Sequence, residues 1–139
     1  MKKQSKKKTT RKKKDDRPWG WGRRSLRRIK QCHPDLQKIL LELPNRCPIE
    51  CTVLQGYRNE AAQNKAYDEG HSKLRYPQSK HNKIPSLAFD VAPYPIDWKD
   101  IKRFDVMNDV IKEIADEFGI EITQGRNWSF GDHPHTELD

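Results

Sequence analysis

From residue 31 onward the apolar positions fall into a few periodic stretches. Leu36, Ile39, Leu40 and Leu43 recur at helical spacing and predict a helix over 34–43 that opens on Pro34 and stops at Pro44. Ile101, Phe104, Met107, Ile111, Ile114 and Phe118 form a second stripe. It predicts the longest helix, over 98–118, with Gly119 as its stop. A shorter helix over 59–67 is expected between them, capped by Asn59 and ended by Gly70. Alternation with a period of two predicts strands at 49–54 and 87–92. In the second, Leu87, Phe89 and Val91 share one face, and Ala88, Asp90 and Ala92 the other. Shorter strands are expected at 120–123 and about 135–138, and 71–86 reads as loop. With no internal repeat, this pattern implies an α+β fold: a small antiparallel sheet with helices packed on one side.

Charge divides the chain differently. Residues 1–30 carry 15 Lys or Arg against two Asp, whereas residues 31–139 carry 13 against 18 Asp or Glu. The basic balance therefore belongs to the N-terminal part, which excludes a uniformly basic nucleic-acid-binding protein. Residues 1–17 read as a disordered cationic tail, since they bury too little apolar surface to offset ordering entropy, and 18–139 as the folded domain. The tail is either a solvated solubility segment or a tether to a polyanion. Trp19 and Trp21, in the turn-rich stretch Pro18–Gly22, either stack on bases or pack the incoming chain onto the domain; packing is the expected outcome. Arg23–Ile29 follows as a short amphipathic segment.

Asp90 breaks the strand pattern. A carboxylate between two alanines, facing away from the Leu/Phe/Val side, is either simply exposed or lines a site. His81 stands nine residues earlier, and Asp132 and His135 lie in Gly131-Asp132-His133-Pro134-His135. Two imidazoles and one carboxylate suit a zinc site that keeps a position for water, and Asp132 would be a candidate base beside it. Five histidines and 20 acidic residues allow other triads, and loop histidines are ordinarily just solvated. No HExxH helix, phosphate-binding loop, GxSxG elbow or dinucleotide fingerprint competes. Cys32, Cys47 and Cys51 form no CxxC pair and read as reduced thiols, buried or partly buried, rather than as a disulfide frame or a zinc knuckle.

Three stretches also carry a resemblance: Gly56-Tyr57-Arg58, Ser79-Lys80-His81 through Ser86-Leu87-Ala88-Phe89-Asp90, and Asp132-His133-Pro134-His135. In order and context they resemble the VanY-like zinc peptidases that cut peptidoglycan stem peptides. These are the D-alanyl-D-alanine carboxypeptidases and dipeptidases and the L-alanyl-D-glutamate endopeptidases, of hedgehog/DD-peptidase-like fold. The bacteriophage and prophage endolysin branch is the most similar, and Ser25–Arg28, His33–Leu36 and Ala92–Pro95 fit it too. The family signature SxHxxGxAxD, followed by DxxH, implies that His81, Asp90 and His135 ligate Zn2+ and that Asp132 is the general base. It further implies that Arg58 is the cation beside the polarised carbonyl oxygen. Ser79 matches the motif serine and is implied as a contact to the ligands or the substrate, not a nucleophile. His133 does not meet the three-residue spacing from Asp132. Two departures stand out: the span from His81 to Asp90 is two residues longer than the pattern, and Ser86 occupies the motif glycine.

Other residues have plainer expectations. Glu137 is placed by strand alternation on the same side as His135, as a hydrogen-bond partner of that ligand. Trp128 and Phe130 either wall a substrate groove or pack. Trp98 is expected in the core or at the helix start, and His33 and His71 at the surface or in caps. The implied activity is zinc-dependent hydrolysis of a stem-peptide amide, L-alanyl-D-glutamate first and D-alanyl-D-alanine carboxypeptidase as the alternative. A non-catalytic nucleic-acid or polyanion binder on the same scaffold is the rival from another class. The implied partners are peptidoglycan and, through residues 1–14, the anionic cell envelope, acted on by a monomer. No apolar run approaches the roughly 20 residues needed to cross a bilayer, and no signal-peptide core follows Met1. The expected location is the host cytoplasm until release to the cell wall.

Overall fold

The computed structural model describes residues 19–139, so the cationic tail and its expected boundary at 17 lie outside the described residues. Two helices, α1 (Arg23–Ile29) and α2 (Pro34–Arg46), lead to strand β1 (Cys51–Gln55) and helix α3 (Glu60–Asp68). A 3₁₀ turn at Lys80–Asn82 precedes β2 (Ala88–Pro93) and the long helix α4 (Ile101–Phe118). Then come β3 (Ile122–Gln124), a 3₁₀ turn at Gly125–Asn127 and β4 (His135–Leu138). The strands form one antiparallel sheet in the order β1-β2-β4-β3, which matches the expected α+β class.

Helix α4 lies on β2 and β3 and against α2. Their shared interior is built from Leu36, Ile39, Leu40 and Leu43 of α2, Phe104, Met107, Ile111 and Ile114 of α4, and Val53, Phe89 and Val91 of the sheet, all essentially solvent-free. Removing a large aliphatic side chain from such a core costs about 2–5 kcal/mol, so these positions fix the sheet on which the site is built. The α4 stripe is buried only in its middle: Ile101 and Phe118, in its first and last turns, are exposed. The helix starts at Ile101 and not at the expected 98, because the Asp100 side chain caps it by accepting from Arg103 N, and Gly119, at φ 71°, ends it. Trp98 is not core: it is 56% exposed and stacks on Phe104 at 5.7 Å. Ala92, expected on the non-core face of β2, is buried with the core, so β2 is covered on both sides.

Pro44 does not stop α2, which runs on to Arg46. A proline here has no N–H for the carbonyl of Leu40, four residues earlier. Trp21 Nε1 donates to that orphaned carbonyl instead, at 2.8 Å, while Trp19 Nε1 donates to Cys47 O at 2.9 Å. The last turn is also pinned by Arg46, which reaches Glu42 at 2.9 Å and Glu117 of α4. The tryptophan pair, edge to face at 5.0 Å, thus packs the incoming chain onto the domain, as expected. All three cysteines are free and buried. Burial, helped by the Asp90 charge, pushes the Cys32 thiol up to about 12.

Candidate metal centre

The register of the two central strands creates the site. Asp90 of β2 faces His135 of β4 directly, so both side chains emerge on the same side of the sheet at cross-strand contact distance. A slip of one residue would turn one of them to the opposite face. Asp90 Oδ1 lies 3.2 Å from His135 Nδ1.

His81 comes from outside the sheet, and its backbone is fixed by a capping box. Ser79 Oγ accepts from His81 N at 3.1 Å, and Asn82 Oδ1 accepts from Ser79 N at 3.1 Å. Ser79 therefore touches the ligand-bearing turn through its backbone. His81 O accepts from Arg58 N at 2.8 Å, which ties the turn to the segment after β1. His81 Nδ1 donates to Gly56 O at 2.8 Å, which aims Nε2 at the site, 3.3 Å from both Asp90 Oδ1 and His135 Nδ1. Position 56 must be glycine, since a Cβ there would lie 2.5 Å from Arg28 O.

The departures from the motif have a local explanation. Ser86 is fully buried, and its Oγ donates to Ala88 O at 2.7 Å, while its backbone pairs with Gln31 and His33. Within the longer span, residues 83–85 are exposed and Ile84 is 82% exposed, while His81 and Ser86 on either side are buried.

Charged groups of both signs surround this triangle. Burial alone raises the Asp90 carboxyl, but the charges and hydrogen bonds of His81 and His135 outweigh it and hold the group well below the usual carboxylate range. Burial pushes the His135 imidazole down, but Asp90 on one nitrogen and Glu137 on the other outweigh it and raise it to about 9. His135 Nε2 donates to Glu137 Oε1 at 2.8 Å, and Lys80 Nζ lies 3.4 Å from Glu137 Oε2 and also donates to Leu138 O. Glu137, two residues along β4, thus hydrogen-bonds His135 on the nitrogen that faces away from Asp90. Asp90 Oδ1, His81 Nε2 and His135 Nδ1 face one another at the centre of this arrangement. His81, Asp90 and His135, whose donor atoms all lie within 4.8 Å of one another, could hold a metal ion.

Three further predicted residues adjoin the triangle. Arg58 Nη2 lies 3.5 Å from Asp90 Oδ2, while its Nη1 donates to Gln63 Oε1 at 2.9 Å. Asp132 is held by Gly125, whose carbonyl accepts from Asp132 N at 2.9 Å. Burial and then the Asp90 charge raise the Asp132 carboxyl, against the opposing pull of His135, His81 and Arg58. The Trp128 ring lies 5.1 Å from that of His135 and 5.4 Å from the exposed Phe130, over which Lys73 Nζ sits at 5.0 Å. His133 stays outside the triangle, packed near Phe104, and its carbonyl accepts from Asn108. His33 caps α2, and His71 is exposed beside Glu69. Sequence reasoning missed Gln63, Lys80, Asn82 and Gly125. Each works through a contact between distant segments, and none has a spacing that singles it out.

The family described as phage L-alanyl-D-glutamate peptidase matches residues 19–139. An L-alanyl-D-glutamate peptidase of Escherichia phage T5 is 30% identical over 121 residues, covering 85% of this chain and 88% of that protein. The crystal structure of Serratia marcescens L-Ala D-Glu endopeptidase ChiX superposes with a TM-score of 0.75 at 24% identity, over 86% of this chain and 90% of that one. At that identity the likeness speaks for the fold. Among the described residues no helix is long and apolar enough to cross a membrane.

Proposed function

Since the chain belongs to the phage L-alanyl-D-glutamate peptidase family, we propose that it hydrolyses the L-alanyl-D-glutamate bond of peptidoglycan stem peptides as a zinc enzyme of the endolysin type. In this reading 18–139 is the peptidase domain. His81, Asp90 and His135 hold the zinc, and Asp132 and Arg58 act on the substrate. The observation that carries the reading is the spacing of the donor triangle, 3.2–3.3 Å on every edge. A tetrahedral ion with bonds of about 2.0–2.1 Å sets its ligand atoms about 3.3–3.4 Å apart, as an N/O zinc site requires. An octahedral ion with bonds of the same length, such as Mg2+, would set them about 2.9 Å apart and prefers oxygen ligands.

When bound, zinc supplies a Lewis acid for the scissile carbonyl and makes water acidic near neutral pH. Asp132 takes the proton from the attacking water and returns it to the leaving amine. Its raised carboxyl suits both halves of that task, because a stronger acid would hold the proton too weakly to deliver it. Arg58 donates to the carbonyl oxygen as negative charge develops there. Glu137 holds the His135 ring in the orientation that aims Nδ1 at the site. Trp128 forms the wall beside His135 against which a stem peptide would lie. Residues 1–14 supply electrostatic attraction to the anionic envelope once the protein leaves the host cytoplasm. Their deletion should lower wall binding at low salt and leave high-salt binding unchanged.

The test is digestion of purified peptidoglycan with and without a chelator, with Zn2+ or Mg2+ added back, reading the new amino termini. D-Glutamyl amino termini, lost with chelator and restored by Zn2+, support the reading. Release of free D-alanine would move the activity to a carboxypeptidase. No cleavage with zinc present would refute the enzyme and favour the polyanion binder.

A further inference from the structure

Helix α3 docks in an unusual way, because the only residue it buries fully is an amide. Gln63 is 0% exposed, and no other α3 residue is buried. A buried carboxamide left unpaired is costly, yet here both polar atoms are bonded twice. Oε1 accepts from Arg58 Nη1 at 2.9 Å and from Asn82 Nδ2 at 3.2 Å. Nε2 donates to Ser72 Oγ at 2.9 Å and to Leu74 O at 2.6 Å. The partners also fix which way the amide points, because Arg58 can only donate and the Leu74 carbonyl can only accept.

Three segments meet at this one side chain: Arg58 after β1, Asn82 beside the ligand His81, and residues 72–74. A guanidinium is a rigid plane, so holding Nη1 sets the direction of Nη2. Nη2 sits 3.5 Å from Asp90 Oδ2, near the donor triangle but beyond a normal hydrogen bond. With its Nη1 partner gone, nothing opposes rotation of Arg58 into a close pair with Asp90. That would draw the cation away from the substrate oxygen and compete for a metal ligand.

We propose that Gln63 is the positioning residue of Arg58: it holds the guanidinium off Asp90 and aimed at the scissile carbonyl. The proposal rests on the role given to Arg58 under the function proposed above. Gln63→Met keeps shape and volume and removes the amide. Gln63→Asn keeps an amide but withdraws it by one methylene, about 1.5 Å, and serves if the first variant does not fold. Each is made in the wild-type and in the Arg58→Ala background, and kcat, KM and bound zinc are measured on soluble muropeptide.

The expected result is a kcat lower by about 10–100-fold in the wild-type background, with KM within about threefold and zinc retained. In the Arg58→Ala background, itself slowed about 100–1,000-fold, the same change should cost less than about threefold. Equal losses in both backgrounds, or unchanged kcat in the wild-type background, overturn the positioning role while leaving the proposed function intact. Full kcat in Arg58→Ala alone overturns the role of Arg58, and that of Gln63 with it.

Discussion

Gly125→Ala is the sharpest way to separate the fold from the catalytic arrangement. Gly125 opens the 3₁₀ turn after β3, and its carbonyl anchors Asp132 N. An added Cβ would lie 2.3 Å from Asp132 O, 2.9 Å from Asp132 Cβ and 3.1 Å from His135 Cβ. A relaxed C···O contact is about 3.3–3.6 Å, so the Asp132 backbone must retreat by about 1 Å. His135, pressed far less, shifts by a few tenths of an ångström. A misplacement of about 1 Å in a reacting geometry costs about 100-fold in rate, whereas overpacking costs about 1–3 kcal/mol of stability. The expected protein is therefore folded, binds zinc and turns over about 100-fold more slowly. Amine release from peptidoglycan, thermal unfolding and metal content measure the three properties. Gly20→Ala, where a Cβ meets nothing within 4 Å, should be indistinguishable from wild type. An undiminished kcat for Gly125→Ala would refute the placement of Asp132 in the reaction.

Asp132→Ala should abolish measurable cleavage with zinc retained, as read by peptidoglycan digestion and metal analysis of the same sample; retained cleavage removes Asp132 as the base. Trp21→Phe strips the substitute donor from the Leu40 carbonyl and should cost about 1–3 kcal/mol in denaturant unfolding, with kcat unchanged. Without metal, His135 is raised to about 9 against about 6.5 in the unfolded chain, so zinc uptake at pH 7.5 must displace roughly one proton. Titration calorimetry in buffers of different ionisation enthalpy measures that number, and a value near zero contradicts the charge balance described here. The same shift predicts that the metal-free protein keeps this stabilisation below about pH 6.5 and loses it as pH rises through about 9, a trend that thermal melts would follow.

Periodicity located α2, α4 and β2 because each buries an apolar face, and local burial leaves a local signature. It misjudged what distant partners decide. Pro44 reads as a stop until the Trp21 indole, far back in the chain, replaces the missing N–H. Ile101 and Phe118 read as core because a stripe does not say where the covering layer ends. The residues of the donor triangle show the same division. Asp90 was visible as an anomaly within its strand, but its pairing with His135, 45 residues away, is a matter of sheet register that no local pattern encodes. Residue types alone offered the set as one candidate among several, and the family resemblance singled it out. Gln63 shows neither signal: within its helix it is one polar residue among many, and its meaning lies wholly in the segments it joins.

The position of β4 also says when in folding the ligand set comes together. It follows β3 in sequence yet sits between β2 and β3, so Asp90 and His135 meet only when β4 pairs with β2 across the intervening α4 and β3. β4 pairs locally with β3, the strand before it, but its pairing with β2 joins positions 45 residues apart and is the long-range contact that completes the site. A chain caught part-way therefore offers scattered histidines and no assembled centre. An ion held by His81, Asp90 and His135 would therefore report that the β2–β4 pairing is complete.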